Sequence, residues 1–208
     1  MIAVSEKLSW YISRASGIVA WYLVTASVLW GLTLSGRVVR RPGAPAWLLD
    51  LHRYLGTLTV VFTAIHLAGL VGDNYVHFGW SELFVPMASS WQPGNVAWGI
   101  VACYLIVAIQ LTSWLMRRLP RRLWHTIHMS SLPLFVAGSI HALRSGTDTG
   151  NRLLRWTGLG GCALVAVLLA VRLASRRRSR TRAGRASGTD EPDHAPTASA
   201  AEVATTLR

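Results

Sequence analysis

Four histidines stand in two apolar segments, His52 and His66 in one, His128 and His141 in the other. The intervals are 14 residues from 52 to 66 and 13 from 128 to 141. At a rise of about 1.5 Å per residue, each interval spans roughly 20 Å of helix. Two helices with histidines at two matched heights can clamp two metal centres stacked between them. An ionisable side chain inside a bilayer is costly and defaults to a functional reading. The chemistry that fits is bis-histidine ligation of two b-type haems in series, a path for electrons. Filling both axial positions leaves no open iron site and favours electron transfer over oxygen chemistry at the metal. A single non-haem ion fits poorly, because the two levels are too far apart to serve it and no carboxylate or cysteine stands alongside. A rival of another class is a haem-free scaffold or transporter whose membrane histidines relay protons.

The elements that carry these residues must be helices of membrane length. Of the 208 residues, 51% are hydrophobic and 14% charged. About 20 apolar residues cover the hydrocarbon core of a bilayer. Five segments qualify: Ala15–Gly36, Tyr54–Gly72, Gly94–Met116, Leu123–Leu143 and Trp156–Val171. The fold class is therefore an all-α integral membrane bundle with about five transmembrane helices. Ala15–Gly36 is too long and its end too basic for a cleaved signal peptide. The loop Asp73–Pro93 is rich in aromatic residues, including Trp80, Phe84 and Trp91, and is expected to form a short helix at the headgroup level. Cys103 and Cys162 read as small core residues.

Arginines set the orientation. Arg37, Arg40, Arg41 and Arg53 crowd one connection, and Arg117, Arg118, Arg121 and Arg122 another. Further arginines follow from Arg172 onward, whereas the Asp73–Pro93 loop has none. Positive residues stay inside, so the N-terminus is expected outside and the C-terminus in the cytoplasm of a bacterial cell. The net charge of +12 is then a topology signal, with the lipid bilayer as its partner and no nucleic acid implied. Residues 1–173 read as the transmembrane domain. Residues 174–208, arginine-rich and then rich in Ala, Thr, Ser, Pro and Asp, read as a disordered cytoplasmic tail.

The two histidine helices are the second and fourth spans and run parallel, so height pairs His52 with His128 and His66 with His141. On an ideal helix, 14 residues return His66 to within about 40° of His52, but 13 leave His141 about 140° from His128. Pro133 lies between the latter two and predicts a kink that redirects the face. His125 is the alternative to His128, but its interval to His141 matches the first helix less well. Gly56, Gly69 and Gly138 each neighbour a histidine on the helix surface and offer clearance for a flat macrocycle, or else close helix packing. Arg53, Arg121 and Arg122 stand near the inner level and Arg144 and Arg152 near the outer, where guanidinium groups suit haem propionates. His77 and His194 read as incidental.

The run Leu51-His52-Arg53-Tyr54-Leu55-Gly56 leading to His66, with Trp124 to His128 leading to His141-Ala142-Leu143, resembles the ferric reductase-like transmembrane domain family. That family includes ferric reductases, NADPH oxidases and the haem-bearing membrane subunit of the bacterial periplasmic methionine sulfoxide reductase system. The likeness covers about Leu49–Asp148. It implies two haems b ligated by His52, His66, His128 and His141, with electrons passing from the cytoplasmic to the outer side. Five spans are expected here where six are common in the family. No Gly-rich nucleotide fingerprint follows a strand in this sequence, so the donor is expected to be a separate flavoprotein reductase or a quinol. A direct reductase of outer Fe(III) or oxygen, served by a flavoprotein partner, is the alternative within redox chemistry. The flavin-free protein is expected not to oxidise NADH or NADPH. Stopped-flow mixing with NADPH should leave its spectrum oxidised while dithionite reduces it, and prompt reduction by NADPH alone would contradict this account of the donor.

Overall fold

Helices account for every regular element among the described residues of the computed structural model, which are 2–35, 46–73, 78–145 and 151–187. The chain divides into two units, Met1–Ala170 and Val171–Arg208. The first holds α1 (Ile2–Leu34), α2 (Trp47–Val71), α3 (Trp80–Phe84), α4 (Pro93–Trp114), α5 (Arg121–Met129), α6 (Ser131–Ser145) and the start of α7 (Arg152–Ser187). Of the second, the described part is the remainder of α7 through Ser187. Four stretches are long and apolar enough to cross a membrane: Leu8–Leu34, Trp47–Val71, Pro93–Trp114 and Arg152–Ser175.

The expected span Leu123–Leu143 is two helices rather than one. They part at Ser130, one turn ahead of the kink expected at Pro133. The proline is the cause. It has no N–H for the carbonyl of Met129, and its ring presses on that carbonyl, so α5 ends there. Within α6, Pro133 sits in the first turn, where a missing N–H costs nothing. A second difference lies at the C-terminal side. Helix α7 continues through Ser187, beyond the Ala174 at which disorder is expected. Residues 175–187 are mostly Arg, Ala and Ser, and arginine and alanine rank among the strong helix formers. Residues 188–208, with His194, lie outside the described residues, as do His77 and the Arg37, Arg40 and Arg41 connection.

Helix α1 runs antiparallel along α2, and α4 antiparallel along α6. One core cluster joins Trp21, Val24 and Val28 of α1 to Ala102 of α4, Leu134, Phe135 and Ala137 of α6, and Val165 of α7. A polar tie across it is the Trp21 indole, which donates to Ser139 Oγ at 3.0 Å while its ring stacks on Phe135. A second cluster gathers Phe78, Leu83, Val96 and Ile100, so the short helix expected in the 73–93 loop packs as α3 against α4. Tyr104 of α4 secures it with a hydrogen bond to the Phe84 carbonyl.

Small residues set the α1–α2 distance. A Cβ built on Gly69 would fall 2.8 Å from the Ser13 backbone nitrogen and 2.9 Å from its Cα, so the two backbones touch. Close approach of this kind is how membrane helices gain packing energy, since lipid tails supply no hydrophobic drive between them. Overfilling such a contact typically costs about 1–3 kcal/mol. Gly69→Leu should therefore lower the thermal midpoint in detergent markedly, whereas Gly160→Leu, at a site with nothing within 4 Å, should leave it near the parent value.

Candidate functional site: two stacked histidine pairs

The bundle brings the four histidines together two by two. The rings of His52 and His128 have centres 5.9 Å apart, and those of His66 and His141 6.3 Å apart. The planes cross at 76° and 75°. These are the partners that height alone predicts. The thirteen-residue interval does not spoil the pairing, because His128 belongs to α5 and His141 to α6, and the break at Ser130 frees each helix to aim its own ring. His125 is exposed and pairs with neither partner ring, so α5 presents His128 to α2.

Around the His66–His141 pair, backbone carbonyls hold both rings. His66 Nδ1 lies 2.7 Å from the Ser13 carbonyl oxygen of α1, and His141 Nδ1 lies 2.8 Å from the Asn95 carbonyl oxygen of α4. A carbonyl can only accept, so each Nδ1 carries the proton and donates. The Asn95 side chain is itself held, donating to Gln92 Oε1 at 2.9 Å where Pro93 opens α4. With Nδ1 occupied on both rings, Nε2 is the nitrogen left to act as a ligand. A protonated Nδ1 on a backbone carbonyl is the usual support of a metal-binding histidine.

The His52–His128 pair is held more loosely. His52 Nδ1 lies 3.5 Å from Ser27 Oγ of α1. His128 Nδ1 is buried without a hydrogen-bond partner, and so is Nε1 of Trp124, whose indole stacks on the His128 ring at 5.0 Å and 22°. Two buried nitrogens without partners side by side are unusual, since nearly all buried polar groups are paired.

The glycines divide by environment. A Cβ at Gly56 would come within 3.2 Å of Gln110 Oε1, and Gly69 is filled by Ser13. Gly138 alone of the three faces open space, with nothing within 4 Å. Reasoning from the histidine helices alone misses Gly17, Gly31 and Gly99, which lie on α1 and α4 and touch the rings directly. A Cβ at Gly17 would fall 2.8 Å from His66 Nδ1, one at Gly31 3.2 Å from His52 Cε1, and one at Gly99 2.7 Å from His141 Cε1. One signal was present in sequence: Gly17 and Gly31 are 14 residues apart, the interval of His52 and His66.

Arg53 points away from the pair beside it and bonds Asp50 Oδ1 at 3.1 Å on an exposed face of α2. Arg121, Arg122, Arg144 and Arg152 are exposed as well. Cys103 and Cys162 are free thiols on different helices. Among the described residues, no three His, Cys, Asp or Glu side chains converge where one ion could sit, so the histidines act as pairs.

Four helices of membrane length, packed around two pairs of facing histidine rings, define a multi-pass membrane protein. The family model described as ferric reductase-like transmembrane component matches residues 16–139, more than half of the chain, and the chain belongs to that family. The matched region takes in His52, His66 and His128 and ends two residues short of His141. The family points to electron transfer across a membrane, and its domains commonly bind haem. No curated protein and no solved structure matches the chain.

Proposed function

We propose that this protein carries electrons across the bacterial cytoplasmic membrane through two b-type haems, one held by His52 and His128 and the other by His66 and His141. The donor is a cytoplasmic flavoprotein reductase or a quinol, and the acceptor lies on the outer side. Supporting the direction is the positive-inside rule, which puts the N-terminus outside and the His52–His128 pair near the cytoplasm.

One observation carries the reading. Metal–imidazole nitrogen bonds run about 2 Å, with each ring centre about 1 Å further on, so two imidazoles on opposite sides of one metal keep their centres about 6 Å apart. Both pairs, at 5.9 and 6.3 Å, have that separation. Edge-to-face packing of two rings also falls in this range; what favours the haem reading is that the pairing recurs at two depths between the same two sides of the bundle.

Haem b supplies one-electron exchange between ferric and ferrous iron, with its potential set by ligands, hydrogen bonds and burial. The residues of this chain do the positioning. His66 and His141 present Nε2 because Ser13 and Asn95 occupy Nδ1. Gly138 offers clearance beside His141, and Gly56 is the corresponding position beside His52, where Gln110 borders it. For the propionates at the cytoplasmic level, Arg53 would exchange Asp50 for them. An exposed ion pair is worth only about 0–1 kcal/mol, so that exchange costs little. The aliphatic and aromatic core around Trp21, Leu134 and Phe135 keeps water out between the levels.

Pyridine haemochrome assay against protein mass should give a ratio near two. His66→Ala or His141→Ala should remove one haem, and His52→Ala or His128→Ala the other, because each pair acts at its own depth. His125→Ala should retain both. Loss of haem on His125→Ala but not on His128→Ala would reassign the ligand, and a haem-free parent protein would overturn the reading.

A further inference from the structure

Three of the four histidines meet the neighbouring helix at the same sequence pattern. His66 lies against Ser13 and Gly17, His52 against Ser27 and Gly31, and His141 against Asn95 and Gly99. In each case the glycine follows the contacted residue by four positions. The Cα–Cβ bond in a helix leans toward the N-terminus, so the side chain at one position covers the turn before it. A residue four places on therefore shields the carbonyl behind it from sideways approach. A glycine there leaves the carbonyl bare.

We infer, resting on the haem reading above, that Gly17, Gly31 and Gly99 are positioning residues for the histidine ligands. Each bares a turn of helix so that an imidazole can lie flat on the glycine and turn Nδ1 toward Ser13, Ser27 or Asn95. The contact is tight enough that alanine cannot be added without moving the ring, since the built Cβ lies 2.8 Å from His66 and 2.7 Å from His141. At Gly31 the gap is 3.2 Å and the hydrogen-bond contact correspondingly long.

The fourth position tests the pattern from within. One further interval of 14 along α4 from Gly99 brings Ser113, not glycine, and its hydroxyl donates to the Ile109 carbonyl at 2.7 Å. The carbonyl that the repeat would bare is covered. His128, the fourth histidine, is the one whose Nδ1 has no hydrogen-bond partner. The two levels thus differ: the His66–His141 pair has both Nδ1 protons on backbone carbonyls, and the His52–His128 pair has neither on a short bond.

A hydrogen bond from Nδ1–H makes an imidazole a stronger donor to the metal and stabilises the ferric state. Optical redox titration of the haem-loaded protein should therefore show Gly17→Ala and Gly99→Ala raising the potential of the haem that His66→Ala removes. The other haem should stay at its parent value. Gly31→Ala should move only the second haem, and Gly160→Ala, in open space, neither. Unchanged potentials in Gly17→Ala and Gly99→Ala would overturn the inference while leaving two-haem ligation intact; a haem-free parent would overturn both. Should the alanine variants fail to assemble, the His66→Gly protein supplies the same test with added ligands. Imidazole, which keeps an N–H for Ser13, should restore the low-spin haem at close to the parent potential. 1-Methylimidazole, which lacks that donor, should restore it at a higher potential or not at all. Equal potentials with the two ligands would again overturn the inference.

Discussion

A buried imidazole proton needs an acceptor, and inside a membrane helix bundle the acceptors are already engaged in the helices. That constraint organises the His66–His141 end of this protein. Every helix carbonyl serves the N–H four residues on, but it keeps a second lone pair. Reaching that lone pair from another helix requires near contact of the two backbones. Gly69 against Ser13 gives α1 and α2 that contact, and Gly17 and Gly99 clear the last ångströms for His66 and His141. Leaving a buried polar group unpaired costs about 1–3 kcal/mol. Interhelical hydrogen bonds in bilayers contribute about 0.6–2 kcal/mol. The glycines thus serve both helix packing, at Gly69, and the approach of a buried imidazole to a carbonyl, at Gly17 and Gly99.

The same accounting leaves the His52–His128 level unfinished. Trp124 and His128 stack, and Trp124 Nε1 and His128 Nδ1 are buried with no hydrogen-bond partner among the described residues. Groups of this kind are tolerated where something else completes them. Arg53, Arg121 and Arg122 lie near these histidines in sequence, on exposed positions of α2 and α5.

How much of this was legible in the sequence follows from which interactions are local. The paired intervals of His52–His66 and His128–His141, four of the five apolar spans and the aromatic loop helix are periodic or compositional and stand close to where the sequence puts them, whereas the expected span Leu123–Leu143 is divided into α5 and α6. The glycine contacts were not legible from the histidine helices, because they depend on the register of α1 against α2 and of α4 against α6. Gly56 and Gly69 looked equivalent to Gly138 by spacing, yet Gln110 and Ser13 fill the first two. Arg53 stands one residue from His52 in sequence, but Asp50, three residues back, engages its guanidinium. Composition argued for a disordered segment from Ala174, while the helix-forming bias of its arginines and alanines carried α7 on to Ser187.

The mismatch between 13 and 14 residues shows most clearly how sequence and architecture are joined. A single straight helix carrying both His128 and His141 would aim them about 140° apart, and no rotation of that helix would satisfy both partners on α2. Lengthening the interval by one residue would align them but would also fix one helix across both levels. Pro133 resolves the conflict differently, by ending α5 at Met129 and letting α6 start afresh. Each ring then answers to its own helix: His141 to the α4 carbonyl it binds, His128 to the indole it stacks on. Pro133 itself is exposed. Its effect is to separate the two levels mechanically, so that the tightly anchored pair does not dictate the geometry of the loosely held one.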